Sequence, residues 1–390
     1  MTEFHLTGFR HEKTAEGLRL SCDVRDGTSV RELVYSIAGS PSELLPPQSA
    51  DWALVGLFLP AMMQGRSIKI DAPISRELLY NANNDLQALF KVWRPRVKPI
   101  KIEASSSDPS FANEGRMATG FSGGIDSFAT LILNEEGAGA NEIGALTIFD
   151  VGAFGKDAAA CEPIKERSKQ RLKQLAEKTG RDWFAVDTNL DDFFRGLFQS
   201  SFQRTHTMRN ASAALALQSH VDIYGISSSF AYTDNMFSGT DISKIDPILL
   251  PLLTTGAFRF VSAGASLSRQ EKTRLVSTYE PAFDTLDVCI AAAEFRSDVT
   301  NCSNCPKCRR TLVALDALGR LESFKNSFDL DLYRENREAA AKTIFAAANA
   351  SMSNRELRDL IKGTELEPKM GLRDHFKGLK IKLRAKVKAL

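Results

Sequence analysis

Phe121-Ser-Gly-Gly-Ile-Asp-Ser127 is the stretch on which the reading of this chain turns. It follows a short apolar run, Met117–Phe121, and opens a stretch with helical spacing, Ser127–Leu133. Two adjacent glycines let the backbone turn sharply, so successive N–H groups can converge on one point at a helix N-terminus, where the helix dipole also favours an anion. Ser122 and Ser127 add hydroxyl donors beside Gly123, Gly124 and Ile125. An aspartate next to phosphate is repulsive by itself, so Asp126 makes sense as a ligand for Mg²⁺ bridging phosphate oxygens. The plain alternative is a flexible turn with Asp126 as an N-terminal helix charge, worth about 0.3–1 kcal/mol. The pattern lacks the lysine of GxxxxGK[ST], which separates it from Walker-type NTPases.

Outward from the loop, short apolar runs alternate with helical stretches. Strands are expected at Met117–Phe121, Ala145–Val151, Trp183–Val186 and Val221–Ser227, and helices at Ser127–Leu133, Glu162–Lys178 and Met208–Ser219, the second closed by Gly180. This alternation predicts an α/β fold, a parallel sheet with helices on both faces. Upstream, Leu18, Leu20 and Cys22, then Ile68 and Ile70, alternate like strands beside helix-like Asp51–Met63 and Ser75–Trp93. Residues 1–105 therefore read as an α+β accessory domain and 106–115 as a linker, on the composition of Ala104–Ser110. Residues 116–325 read as the nucleotide-binding domain and 326–390 as a helical C-terminal region. Beyond the cysteines Arg309–Phe324 is helical by period, and 329–363 read as further helices rich in Ala, Glu and Arg.

The chain has 390 residues, 43% hydrophobic and 25% charged, with a formal charge of +2, so no global field draws it to nucleic acid or lipid. The N-terminus lacks the apolar core of a signal peptide, and no window approaches the ~18 apolar residues of a membrane span, so a cytoplasmic location is expected. There the six cysteines stay reduced, and their spacing matters more than their number. Cys302, Cys305 and Cys308 stand at CxxCxxC spacing with Cys289 upstream, a ligand set for structural Zn²⁺, with Lys307, Arg309 and Arg310 offsetting the net charge. An iron–sulfur cluster is the rival. Cys22 and Cys161 read as small buried hydrophobes. Phe193, Phe194, Phe198 and Phe202 have helical spacing and suit a core or a homodimer contact.

The loop resembles that of the PP-loop ATP pyrophosphatases, in which SGGxDS binds the pyrophosphate part of ATP. From about Met117 to Arg310 the chain is most similar to the 7-cyano-7-deazaguanine synthase (QueC) family. The matching elements are Phe149-Asp150-Val151-Gly152, Arg209-Asn210, Gly225, Ser268-Arg269-Gln270-Glu271 and the four cysteines. Residues 227–237, SSSFAYTDNMF, stand where that family has a YPDC-like segment, and twelve residues separate Cys289 from Cys302, a longer gap than usual there. The resemblance implies a PP-loop (HUP-like) fold and ATP, Mg²⁺ and Zn²⁺ as cofactors. It implies that Gly123–Ser127 hold phosphates, Asp126 holds Mg²⁺, and Phe149 and Asp150 face adenine and ribose. Arg209 and Arg269 would neutralise phosphate or carboxylate charge; the plain alternatives are a surface ion pair and a helix C-terminal charge.

The implied reaction is adenylation of a carboxylate, a 7-deazaguanine-type one by the resemblance, followed by transfer to ammonia or an amine, which includes a protein amine. Such relatives also occur in bacterial antiphage systems. A sulfur-transfer or tRNA-modifying enzyme on the same scaffold, and a catalytically degenerate binding subunit of a complex, are the rivals. The last segment, Lys369–Leu390, carries eight Lys/Arg and one acid, leaving the preceding residues at −5. Leu372, Phe376, Leu379, Leu383, Val387 and Leu390 give it an apolar stripe. It reads as a basic amphipathic helix packed on the chain or on a protein partner, ahead of nucleic acid or lipid.

Overall fold

Strand-period alternation does build the N-terminal region. In this computed structural model, β1 (Glu3–Thr14), β2 (Gly17–Asp26) and β3 (Ser29–Gly39) form an antiparallel meander. Leu18, Leu20, Cys22 and Val24 are buried along β2. The structure describes residues 3–110, 116–135, 142–154, 158–197, 201–235, 237, 239–289, 299–348, 352–371 and 374. They fold as two units, one from the described parts of 1–120, 137–228 and 235–263, the other from those of 121–136, 229–234 and 264–390.

The first unit continues with α1 (Asp51–Gln64), β4 (Ser67–Ile70), β5 (Ile74–Ser75), α2 (Arg76–Asn83), α3 (Asp85–Trp93), β6 (Ile102–Glu103), β7 (Ser106–Ser107) and β8 (Met117–Gly120). After α4 (Ile125–Glu135), which belongs to the second unit, come β9 (Ile143–Asp150), α5 (Ala158–Lys178), β10 (Asp182–Thr188), α6 (Asp191–Phe194), α7 (His206–Leu215), β11 (Ile223–Ser227), α8 (Asp246–Leu252) and β12 (Arg259–Ala263). Ten strands make one sheet in the order β12-β11-β8-β9-β10-β3-β2-β1-β4-β6. The run β12-β11-β8-β9-β10 is parallel throughout. α1 is apolar all round and buried along nearly its whole length, as a helix inside a core must be.

Within the parallel run, β8 has β9 on one side and β11 on the other, so the strand order reverses there. In open α/β sheets ligands bind outside the carboxyl ends of strands at such a switch point. The chain leaves β8 at Gly120 straight into the glycine loop.

Residues 1–105 are not set apart as the sequence suggests, because β3 pairs antiparallel with β10, placing Phe184 opposite Gly39 and Thr188 opposite Tyr35. That pairing covers what would otherwise be an open edge of the parallel sheet. Nor does 106–115 begin as a linker: Ser106–Ser107 pair with Ile74–Ser75, and 111–115 lie outside the described residues. The helical stretch expected over Ser75–Trp93 is broken at Asn84, and the phenylalanine run is not one helix, since α6 ends at Phe194 and Arg195 is extended; Phe198 lies outside the described residues.

The second unit holds α4, α9 (Arg269–Val276), α10 (Pro306–Ala317), α11 (Leu330–Ala347) and α12 (Met352–Ile361). α4 packs on α9, and the Phe128 ring contacts Phe121 edge-on at 5.1 Å between centroids. Most of the basic segment, 372–373 and 375–390, lies outside the described residues. No described helix is long and apolar enough to cross a membrane.

Candidate functional site

The glycine loop sits in the second unit. Gly123 takes φ +75°, a conformation side chains rarely adopt, and its carbonyl accepts the Asp287 N–H at 2.7 Å. The first helical bond of α4 runs from Phe128 N–H to Gly124 O at 3.0 Å. The amides of Ile125, Asp126 and Ser127 therefore have no acceptor within the helix, which is the arrangement an anion site needs. The Ser127 hydroxyl donates to Gly124 O at 2.9 Å and fixes the turn.

Asp126 is the centre of a cationic cluster. Arg269 Nη1 donates to its Oδ2 at 2.5 Å, and Lys272 Nζ stands 3.5 Å from Oδ1, a buried atom with no hydrogen-bond partner. Both cations come from α9, whose start is fixed by a capping box: Ser268 Oγ accepts the Glu271 N–H while Glu271 accepts the Ser268 N–H. Arg269 is thus the first residue of a helix and not a C-terminal charge. The dipole disfavours a cation there, so its ion pair with Asp126 is what holds it. Lys272 is 2% exposed, and burial pushes its ammonium pKa down, with Asp126 pulling the other way. Lys307 and Arg310 of α10 are depressed too, first by burial and next by repulsion from Arg269. Sequence reasoning had assigned these two only to the cysteine centre.

The four cysteines do converge. The sulfurs of Cys289, Cys302, Cys305 and Cys308 lie within 4.8 Å of one another and could hold one metal ion. Cys302 and Cys308 are 4.0 Å apart, Cys305 and Cys308 3.4 Å. Backbone N–H groups of Cys302, Cys305 and Cys308 point at the sulfurs of Cys289, Cys302 and Cys305, as thiolates require. The Cys308 thiol is pushed far up, first by its hydrogen bond with Cys289 and then by burial. Leu286–Cys289 connects this centre to the loop: Asn301 binds Leu286 O and Val288 N–H, and Asp287 N–H binds Gly123 O.

Phe149, Asp150 and Arg209 belong to the first unit. Phe149 is 8% exposed and stacks on Tyr224 at 5.5 Å, while Asp150 pairs with Lys165 and accepts the Gly152 N–H. Arg209 is no surface ion pair. It is 1% exposed, donates to Val151 O at 2.9 Å and Asp191 Oδ1 at 2.6 Å, and lies 4.0 Å over the Phe194 ring. A Cβ at Gly152 would meet its Nη1 at 2.7 Å, which explains the glycine. Through Nη1, Arg209 ties the end of β9 to α6, while its Nε is buried without a hydrogen-bond partner.

Sequence reasoning also missed an acidic cluster at α7. His206 pairs with Asp241 at 3.2 Å, and the buried Asp246 accepts from Thr207 at 2.8 Å with its other oxygen unpartnered. Burial pushes Asp246 up to about 7. Between pH 4 and pH 7 the native chain keeps a proton that the unfolded chain has lost, so stability falls as pH rises through that window. Asp246→Asn is expected to flatten this fall and to be more stable than the parent by about 1–3 kcal/mol at pH 8, with little difference at pH 4. Urea unfolding at both pH values measures it; parallel curves for the two proteins would refute a proton on Asp246.

No protein-family model matches the chain, nor does any curated protein or solved structure.

Proposed function

We propose that the chain is an ATP-dependent ligase of the PP-loop type, most similar to the 7-cyano-7-deazaguanine synthase family, that adenylates a carboxylate and passes it to ammonia or an amine. The observation that carries this reading is Asp126 in the first turn of α4, three residues after the positive-φ Gly123 and held by Arg269 and Lys272. A carboxylate oxygen attacks the α-phosphorus, the bond to the β-phosphate oxygen breaks, and pyrophosphate leaves. The amine then attacks the acyl carbon, the C–O bond to AMP breaks, and nitrogen loses a proton. The loop amides and the α9 cations stabilise pyrophosphate as its charge develops, and positioning supplies most of the remaining acceleration. A magnesium ion, when bound, would add neutralisation of phosphate charge; Asp126 would hold it, its Oδ1 facing the Lys272 ammonium at 3.5 Å in its absence.

In this reading the cysteine centre holds structural zinc. Thiolates at about 2.3 Å around one tetrahedral ion stand about 3.8 Å apart, close to the 3.4 and 4.0 Å observed. Ligands of a four-iron cluster sit on separate irons and spread wider, which favours zinc over that rival. A cytoplasmic setting keeps such thiolates reduced. A 7-deazaguanine-type carboxylate is the first substrate to offer. Single-turnover reaction with ATP should release AMP and pyrophosphate; ADP as the first nucleotide product would overturn the assignment.

A further inference from the structure

Arg269, Lys307 and Arg310 line one recess of the second unit, together with Thr273 and Thr311. Gln270 and Ser353 complete the lining, so no carboxylate contributes to it. Lys307 and Arg310 are three residues apart on α10, which places them on neighbouring positions of one helical face. Cys305 caps that helix, its sulfur accepting the Cys308 N–H at 3.5 Å. The cysteine centre therefore sets where the two cations stand. Arg269 belongs both to this recess and to the loop, through its 2.5 Å bond to Asp126. Three cations and two hydroxyls share a single carboxylate, that of Asp126 bonded to Arg269, so positive charge is in excess and a bound diphosphate would offset the repulsion among the cations.

We propose that Lys307 and Arg310, with Arg269, bind the pyrophosphate half of the nucleotide, as a second wall that shares this role with the glycine loop. This rests on the ATP-cleaving reading above. The alternative is that the two α10 cations only offset the charge of the metal-loaded cysteines. The two assignments separate in one set of measurements on the full chain. Inorganic pyrophosphate is titrated calorimetrically into the parent, Lys307→Gln, Arg310→Gln and the double variant, with metal content by elemental analysis and AMP release from ATP in parallel.

Each single change is expected to weaken pyrophosphate about tenfold, and the pair about a hundredfold, with metal retained. Affinities within threefold of the parent overturn the proposal, whether or not metal is lost. If a variant does not fold, hydrogen exchange on the parent decides: pyrophosphate should protect 307–311, and protection confined to 122–127 overturns the assignment. Pyrophosphate binding that depends on Lys307 and Arg310 without AMP release keeps the anion site and removes the ligase reading. AMP release with indifferent variants does the reverse.

Discussion

Asp126→Asn is expected to cut AMP formation from ATP by about a thousandfold while the second unit stays folded. Asparagine keeps the side-chain volume and an oxygen that can still accept from Arg269, but it loses the negative charge facing Arg269 at 2.5 Å and Lys272 at 3.5 Å. Without that charge nothing in the first turn of α4 offsets the metal that phosphate brings. The sequence alone suggests that Asp126→Ala would be harmless to the fold, since one carboxylate in a loop packs against little. The structure changes that expectation, because the carboxylate is a counter-ion of Lys272, which is 2% exposed. Removing one partner of a buried pair costs about 3–5 kcal/mol, and Asp126, a quarter exposed, should fall below that range, at about 2 kcal/mol. Both substitutions remove that counter-ion and should lower the melting temperature, alanine the more because it also loses the oxygen that accepts from Arg269. Single-turnover AMP yield beside a thermal melt separates the two, and a parent-like yield from Asp126→Asn would sink the role of this loop.

The parts legible in sequence were those whose cause is local. The strand-loop-helix order around Gly123 and Gly124 follows from glycine conformation and helix-end amides. Ser268 and Glu271 spell a capping box as locally, yet the alternative of a C-terminal charge at Arg269 passed over it. Gly180, just past α5, takes φ +64° as a helix-closing glycine should. The cysteine spacing likewise foretold a cluster of sulfurs. What the sequence hid is long-range partnership. Alternation in β3 announces a strand but not that β10 is its neighbour, since period-two patterning specifies a face and says nothing about which edge is met. The serines at 106 and 107 look like linker because composition cannot see the backbone of Ile74–Ser75 beside them. The resemblance gave Arg209 a phosphate or carboxylate to neutralise, yet the same planar guanidinium serves equally well stacked on Phe194 and bonded to Val151 O. Lys307 and Arg310 escaped for the opposite reason: their proximity to the cysteines in sequence supplied an explanation before their proximity to Arg269 in space could.

Removing the metal is expected to have the second large effect, and on the fold rather than on chemistry alone. Purified chain should contain one zinc and be colourless, and chelation should lower the midpoint of an early thermal transition by 10 °C or more, on the order of 2–4 kcal/mol for a unit of this size. The figure is far below the full metal affinity of a zinc-finger peptide because the second unit has a core of its own, with Leu312, Val313 and Leu315 of α10 buried. The loss is still large, since four sulfurs within 4.8 Å must otherwise remain crowded thiols, and Cys305, which caps α10, would lose its metal as well. Acid should act as chelator does, because each thiolate that takes a proton releases a ligand. Cys305→Ser removes ligand and thiol cap together and should give insoluble or low-melting protein. The consequence should reach the glycine loop through Leu286–Cys289, so that chelation speeds amide exchange at 122–128 as well as at the cysteines. Exchange at 122–128 that ignores the chelator would break that mechanical link. Iron by elemental analysis, with visible absorption, would move the chain to the sulfur-transfer reading, because a cluster would then occupy the place given to a structural ion.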